Sequence, residues 1–150
     1  MCGRLLPALR RDRTGAALVE FALVAPILLT MLLGVVQVGT WVQSYNAVRN
    51  LVNDTARFTM VEYQRGNKIN NDSIEDRAKF IAASDRYNLD ETNVVPDATT
   101  KTTQVNGVKQ LNLSITYVPP KFVPFVGAAA PAITYNRDIY LYDQSAIAGT

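Results

Sequence analysis

The chain has no histidine and one cysteine in 150 residues. Without histidine it lacks the commonest general base and the commonest metal ligand. The single cysteine, Cys2, stands among the first few residues with no apolar run before it, which argues against a lipoprotein cleavage site. Beyond it there is no disulfide framework, no thiolate nucleophile and no cysteine-based zinc site. Gly-rich phosphate loops are missing too. Asn70-Asn71-Asp72 has neither the spacing nor the glycine of a calcium loop. Asp85 and the Asp90-Glu91 pair have no partner pattern that would make them catalytic or metal-binding. Neither an enzyme nor a cofactor is expected, and no metal site.

Positive charge is also scarce outside one place. The net charge is +2, but Arg4, Arg10, Arg11 and Arg13 against Asp12 give residues 1–15 a local +3. The other 135 residues together carry −1, so a nucleic-acid-binding surface is not expected.

What is present is one dense apolar run. Residues 16–36 read AALVEFALVAPILLTMLLGVV, with Glu20 as the only charge. As a helix this stretch spans roughly 30 Å, the thickness of a bilayer's hydrocarbon core. Arginines crowd its N-terminal side and no such cluster follows it, so the N-terminus is expected in the cytoplasm and the remainder exported. A removable secretory signal would have a shorter apolar core and a small-x-small cut site after it. The apolar pattern continues instead. Val38, Trp41, Tyr45, Val48, Val52 and Thr55 recur every three or four residues, which predicts an amphipathic helix up to Gly66-Asn67. Residues 16–38 and 39–65 are thus expected to form one rod, a transmembrane helix continued by a stalk. Within it Pro26 cannot donate to the carbonyl of Ala22, which predicts a kink or a loosened turn.

Glu20 lies where an ionised carboxylate is costly. Two explanations stand at this point. The carboxylate is held at headgroup level, or it pairs with an α-amino group freed at Ala16 by cleavage after Gly15, on its own chain or on a neighbour.

The sequence Arg11-Asp12-Arg13-Thr14-Gly15, followed by Ala16-Ala17-Leu18-Val19-Glu20-Phe21, resembles a type IV prepilin site. More specifically, residues 15–58 resemble the TadE-like minor pilins (pseudopilins) of Tad/Flp pilus systems. The features that match are Val19-Glu20-Phe21-Ala22-Leu23, Pro26, Gly34, Gly39 and Thr55-Ala56-Arg57. Gln37 departs from the family, where an acid is often found. The resemblance implies a basic leader, residues 1–15, removed by a prepilin peptidase between Gly15 and Ala16, and a role for Glu20 in aligning subunits. Implied partners are that peptidase, other pilins and pseudopilins, the inner-membrane assembly platform and the lipid bilayer. Adhesion and biofilm formation would follow. The alternative is an uncleaved, single-pass anchored periplasmic adhesin or sensor.

Residues 66–150 are expected to form an exported α+β domain. Asp72-Ser73, with Asp76, predicts the start of a second helix reaching about Tyr87. Asn88-Leu89-Asp90 and Pro96-Asp97 predict turns. Alternation predicts antiparallel strands over 109–118 and 133–142, with a further strand over 102–105 before an Asn106-Gly107 turn. Between the last two strands the proline-rich residues 119–131 carry Phe122 and Phe125, which either tuck under the sheet or dock a neighbouring subunit. The fold class expected is therefore α+β: a long N-terminal helix, a second helix and a small antiparallel sheet, an arrangement that resembles pilin-like subunits.

Overall fold

A computed structural model describes residues 13–120 and 131–142. Helix α1 spans Arg13–Gln64 and α2 spans Asn71–Ala82; a short 3-10 turn, Glu91–Asn93, leads into strands β1 (Val94–Lys101), β2 (Val108–Tyr117) and β3 (Ile133–Tyr142). The strands form one antiparallel sheet in the order β1-β2-β3. This is the expected α+β architecture.

The apolar run and the amphipathic stalk form one continuous helix of 52 residues, unbroken at Pro26. It ends where Gly66 adopts φ +82°, a value that glycine reaches without a Cβ penalty. The amide of Gly66 donates to the Tyr63 carbonyl and that of Asn67 to the Glu62 carbonyl, the paired bonds of a Schellman cap.

The far half of α1 packs on the sheet. Ala47, Val48, Leu51, Val52 and Ala56 are buried there with Leu111, Leu113 and Ile115 of β2 and Ile139 and Leu141 of β3. The buried face is wider than the stripe read from sequence, because Ala47, Leu51 and Ala56 join it. Val38 instead stays exposed. Thr55 and Thr59 are fully buried in the same face, and their hydroxyls donate to the carbonyls of Leu51 and Thr55, both at 2.9 Å. Each thus meets its own polar requirement inside the helix.

Three expectations need correction. The first residues of α2 are capped by Asn70, whose side-chain oxygen accepts from the Ser73 amide at 2.9 Å, and not by Asp72 or Ser73; the helix also stops at Ala82, short of Tyr87. The third strand is Val94–Lys101, not 102–105. Pro96 lies not in a turn but inside β1, opposite Ile115. An edge strand tolerates proline because the missing N–H can fall on the unpaired side. Alternation in β1 was hidden for the same reason: its buried positions are Val94, Pro96 and Ala98, of which only Val94 is a strong strand former. Asn106-Gly107 does turn the chain, with Gly107 at φ +77° and the Val108 amide donating to the Val105 carbonyl, but at the end of a longer connection.

The outer edge of β1 is closed by α2. Glu75 reaches across, and its Oε1 accepts the Ala98 amide at 2.9 Å. The outer face of the sheet is polar: Asp138 accepts from Lys101 at 2.9 Å and Asn112 at 2.6 Å, and Thr116 and Thr134 bond across the β2–β3 pair. These contacts hold the Asp138 carboxyl below the ordinary carboxylate range, chiefly through the Lys101 bond and then the Asn112 bond.

Candidate membrane helix and its junction with the sheet

Among the described residues, the first half of α1 buries none of its large apolar side chains. Every Leu, Val, Ile, Phe and Met in residues 18–38 is exposed, from Leu18 at 71% to Val38 at 64%. Leaving fourteen large apolar side chains in water would oppose folding, so this surface is built to be covered from outside. The helix is long and apolar enough to cross a membrane.

Gly15, Ala16, Glu20 and Pro26 all lie on this unpacked half. Gly15 and Ala16 are within the first turns of α1. Among the described residues, a Cβ added at Gly15 would meet nothing within 4 Å. Glu20 is exposed and has no ion-pair partner among the described residues. One turn past Pro26, the Thr30 hydroxyl lies 2.9 Å from the Pro26 carbonyl and 2.8 Å from the Ile27 carbonyl, a local polar contact inside the apolar run. Phe122 and Phe125 lie outside the described residues.

Residues 15–57 match the family model of TadE-like proteins. The match begins at Gly15, runs through the whole unpacked half, and ends at Arg57, within the part of α1 that packs on the sheet. The TadE-like segment is therefore one element with two environments. No curated protein and no solved structure matches the chain.

Where the two environments meet, the TadE-like helix is fastened to the sheet by aromatic side chains. The indole N–H of Trp41 donates to the Pro131 carbonyl at 3.2 Å. Its ring stacks on Tyr45 with 6.0 Å between centroids, and Tyr45 meets Tyr135 of β3 edge-on at 6.4 Å. Farther along, Arg137 of β3 donates to Asn53 Oδ1 at 2.6 Å. From Pro131 to Arg137 an extended chain advances about 20 Å, and from Trp41 to Asn53 a helix advances about 18 Å. Strand β3 thus climbs alongside α1, away from the apolar half.

A second fastening holds the segment after α2. Asp54 of α1 accepts from Arg86 at 3.1 Å and from the Tyr87 hydroxyl. Burial, followed by the bond to Asp54 and its charge, pushes the Tyr87 phenol up to about 12. Beside it, Arg77 of α2 lies over the rings of Phe58 and Phe80, 4.6 and 5.0 Å from their centroids. Sequence spacing could not have announced these pairs, since more than thirty positions separate Asp54 from Arg86 and Tyr87. The Trp41 junction did leave a sign: the only tryptophan stands just past the apolar run, where such residues anchor helices at a membrane surface.

Proposed function

We propose that the chain is a minor pilin (pseudopilin), a non-enzymatic structural subunit that assembles a Tad/Flp-type pilus after a prepilin peptidase cuts between Gly15 and Ala16. The observation that carries this is the TadE-like match beginning at Gly15, on a helix whose large apolar side chains in residues 18–38 are all exposed among the described residues.

Removal of residues 1–15 would leave Ala16 first and Glu20 fifth. In a low-dielectric layer an unpaired carboxylate is strongly penalised, whereas a short ion pair with further hydrogen bonds is tolerated. The α-amine of Ala16 on an adjacent subunit is the partner that satisfies Glu20, so the pair sets the register between neighbours. The basic leader holds the N-terminus on the cytoplasmic side of the inner membrane, with the sheet on the periplasmic side. Assembly then exchanges lipid for neighbouring pilin helices around the same apolar half. The partners are the peptidase, other pilins and pseudopilins, and the inner-membrane assembly platform; surface adhesion and biofilm formation follow from the pilus.

Deletion of the chain tests this. Cells lacking it are expected to lose surface pili and attachment, both restored by the wild-type sequence; normal piliation of the deletion strain would contradict the proposal.

A further inference from the structure

We propose that the foot of the sheet, at the ends of β2 and β3 nearest Trp41, is seated in the lipid headgroup layer, so that the membrane fixes the tilt of the exported domain. The inference rests on α1 crossing the bilayer.

Length is the first argument. The exposed large apolar side chains of α1 do not stop at the end of the 30 Å run. After Val36 they continue with Val38, Val42 and Tyr45, and the next lies only at Val61. From Leu18 to Tyr45 the helix advances about 40 Å, which exceeds a hydrocarbon core of about 30 Å and equals a bilayer with its headgroup regions. With the apolar run filling the core, the excess falls on the exported side at headgroup depth. Tryptophan and tyrosine favour that depth, where a ring finds an apolar side and a polar tip finds water.

Contact is the second argument. At this level α1 is already joined to the sheet. Trp41 holds Pro131, and Tyr45 meets Tyr135. Gln37, Val38, Trp41 and Pro131 enclose an apolar hollow of about 250 Å3 that opens outward beside the helix, a recess that fits an acyl chain. Tyr117 pairs with Ile133, which places Val118, 47% exposed, at the same end of the sheet. The opposite end, with the connection carrying Val105, lies about 30 Å away along β2. Whatever depth Trp41 occupies, the foot shares and the far end does not. The occupant is lipid because the patch is continuous with the membrane-crossing surface and has the same apolar character.

The natural single cysteine makes the test clean. The full chain carrying Cys2→Ser and one new cysteine, Val118→Cys, Val105→Cys or Leu29→Cys, is labelled with an environment-sensitive fluorophore. It is then reconstituted at high dilution in phosphatidylcholine vesicles, with or without lipids bearing a headgroup-level nitroxide. Trp41 is retained, and its own emission, read with lipids brominated near the headgroup, gives a second measurement. The label at 118 and Trp41 are expected to lose most of their emission to the shallow quenchers, while the label at 105 keeps its own. If 118 behaves like 105 while 29 reports a dry, deep site, the foot is not seated and the anchored helix stands. A dry but unquenched 118 means that a second copy covers it, and the inference is overturned. If 29 also reports water, the membrane-crossing reading fails together with this one.

Discussion

Glu20 is the residue on which the assembly proposal presses hardest. It is the only charge in the apolar run, and its own chain offers it no ion-pair partner among the described residues. Glu20→Ala removes both the desolvation cost and the proposed partner of Ala16. The variant is expected to be cut and inserted like wild type, while the amount recovered with sheared pili falls at least about tenfold, since losing one partner of a desolvated ion pair costs about 3–5 kcal/mol. Quantitative blotting of membrane and pilus fractions reads both; unchanged recovery in pili would remove Glu20 from assembly. Tyr87 gives a test of a different kind. Burial first, and then its bond to Asp54, raise its phenol from near 10 when unfolded to about 12 when folded, so the protonated phenol in this site stabilises the fold fully below pH 10. As pH rises from about 10 towards 12 the unfolded state loses its proton first, and that contribution disappears. The stability difference between wild type and Tyr87→Phe, measured by urea unfolding in detergent, is expected to be largest below pH 10 and to shrink above it. A difference independent of pH would contradict the assignment.

At the scale of elements, β1 is the weakest piece by its own sequence and depends on α2. Proline and alanine occupy two of its inward positions, and Glu75 supplies the acceptor for an amide on its outer edge. Glu75→Ala leaves the Ala98 amide to water or to nothing, and is expected to cost about 1.5–3 kcal/mol, the range for a hydrogen bond to a charged group. Glu75→Gln, which keeps an acceptor, is expected to recover much of that in the same unfolding measurement; equal losses for both variants would show that the contact is incidental. The dependence explains what sequence could and could not disclose. Strands β2 and β3 were legible because Leu111, Leu113 and Ile115, and Ile139 and Leu141, alternate cleanly with polar neighbours on a sheet wet on one face. The rod was legible because an apolar run long enough to span a bilayer passes directly into a stripe of helical spacing from Val38 to Thr55. Strand β1 was not, because its place is set by partners: register against β2 and the reach of Glu75. The α2 cap is not legible because four suitable residues, Asn70, Asn71, Asp72 and Ser73, follow one another and only geometry chooses Asn70.

The whole molecule divides by environment more than by sequence segment. One helix supplies both the surface left bare for lipid or neighbours and part of the domain's own core, where Leu51, Val52 and Thr55 are fully buried. Movement of the membrane half is therefore transmitted to the sheet through a packed helix, reinforced at the junction by Trp41 and Pro131. Of the candidate site, Gly15, Ala16 and Glu20 were legible as a pattern in the chain, while the junction was not, because Trp41 and Pro131 are 90 positions apart. The claim on which the rest depends is that this helix begins at Ala16 in the mature protein. The N-terminal residue of the chain recovered from membranes, determined by mass spectrometry with and without the prepilin peptidase, tests it most directly. A terminus at Ala16 that requires the peptidase is the expected result. An intact Met1 terminus in both strains would contradict it, and would leave an uncut, membrane-anchored adhesin or sensor in its place.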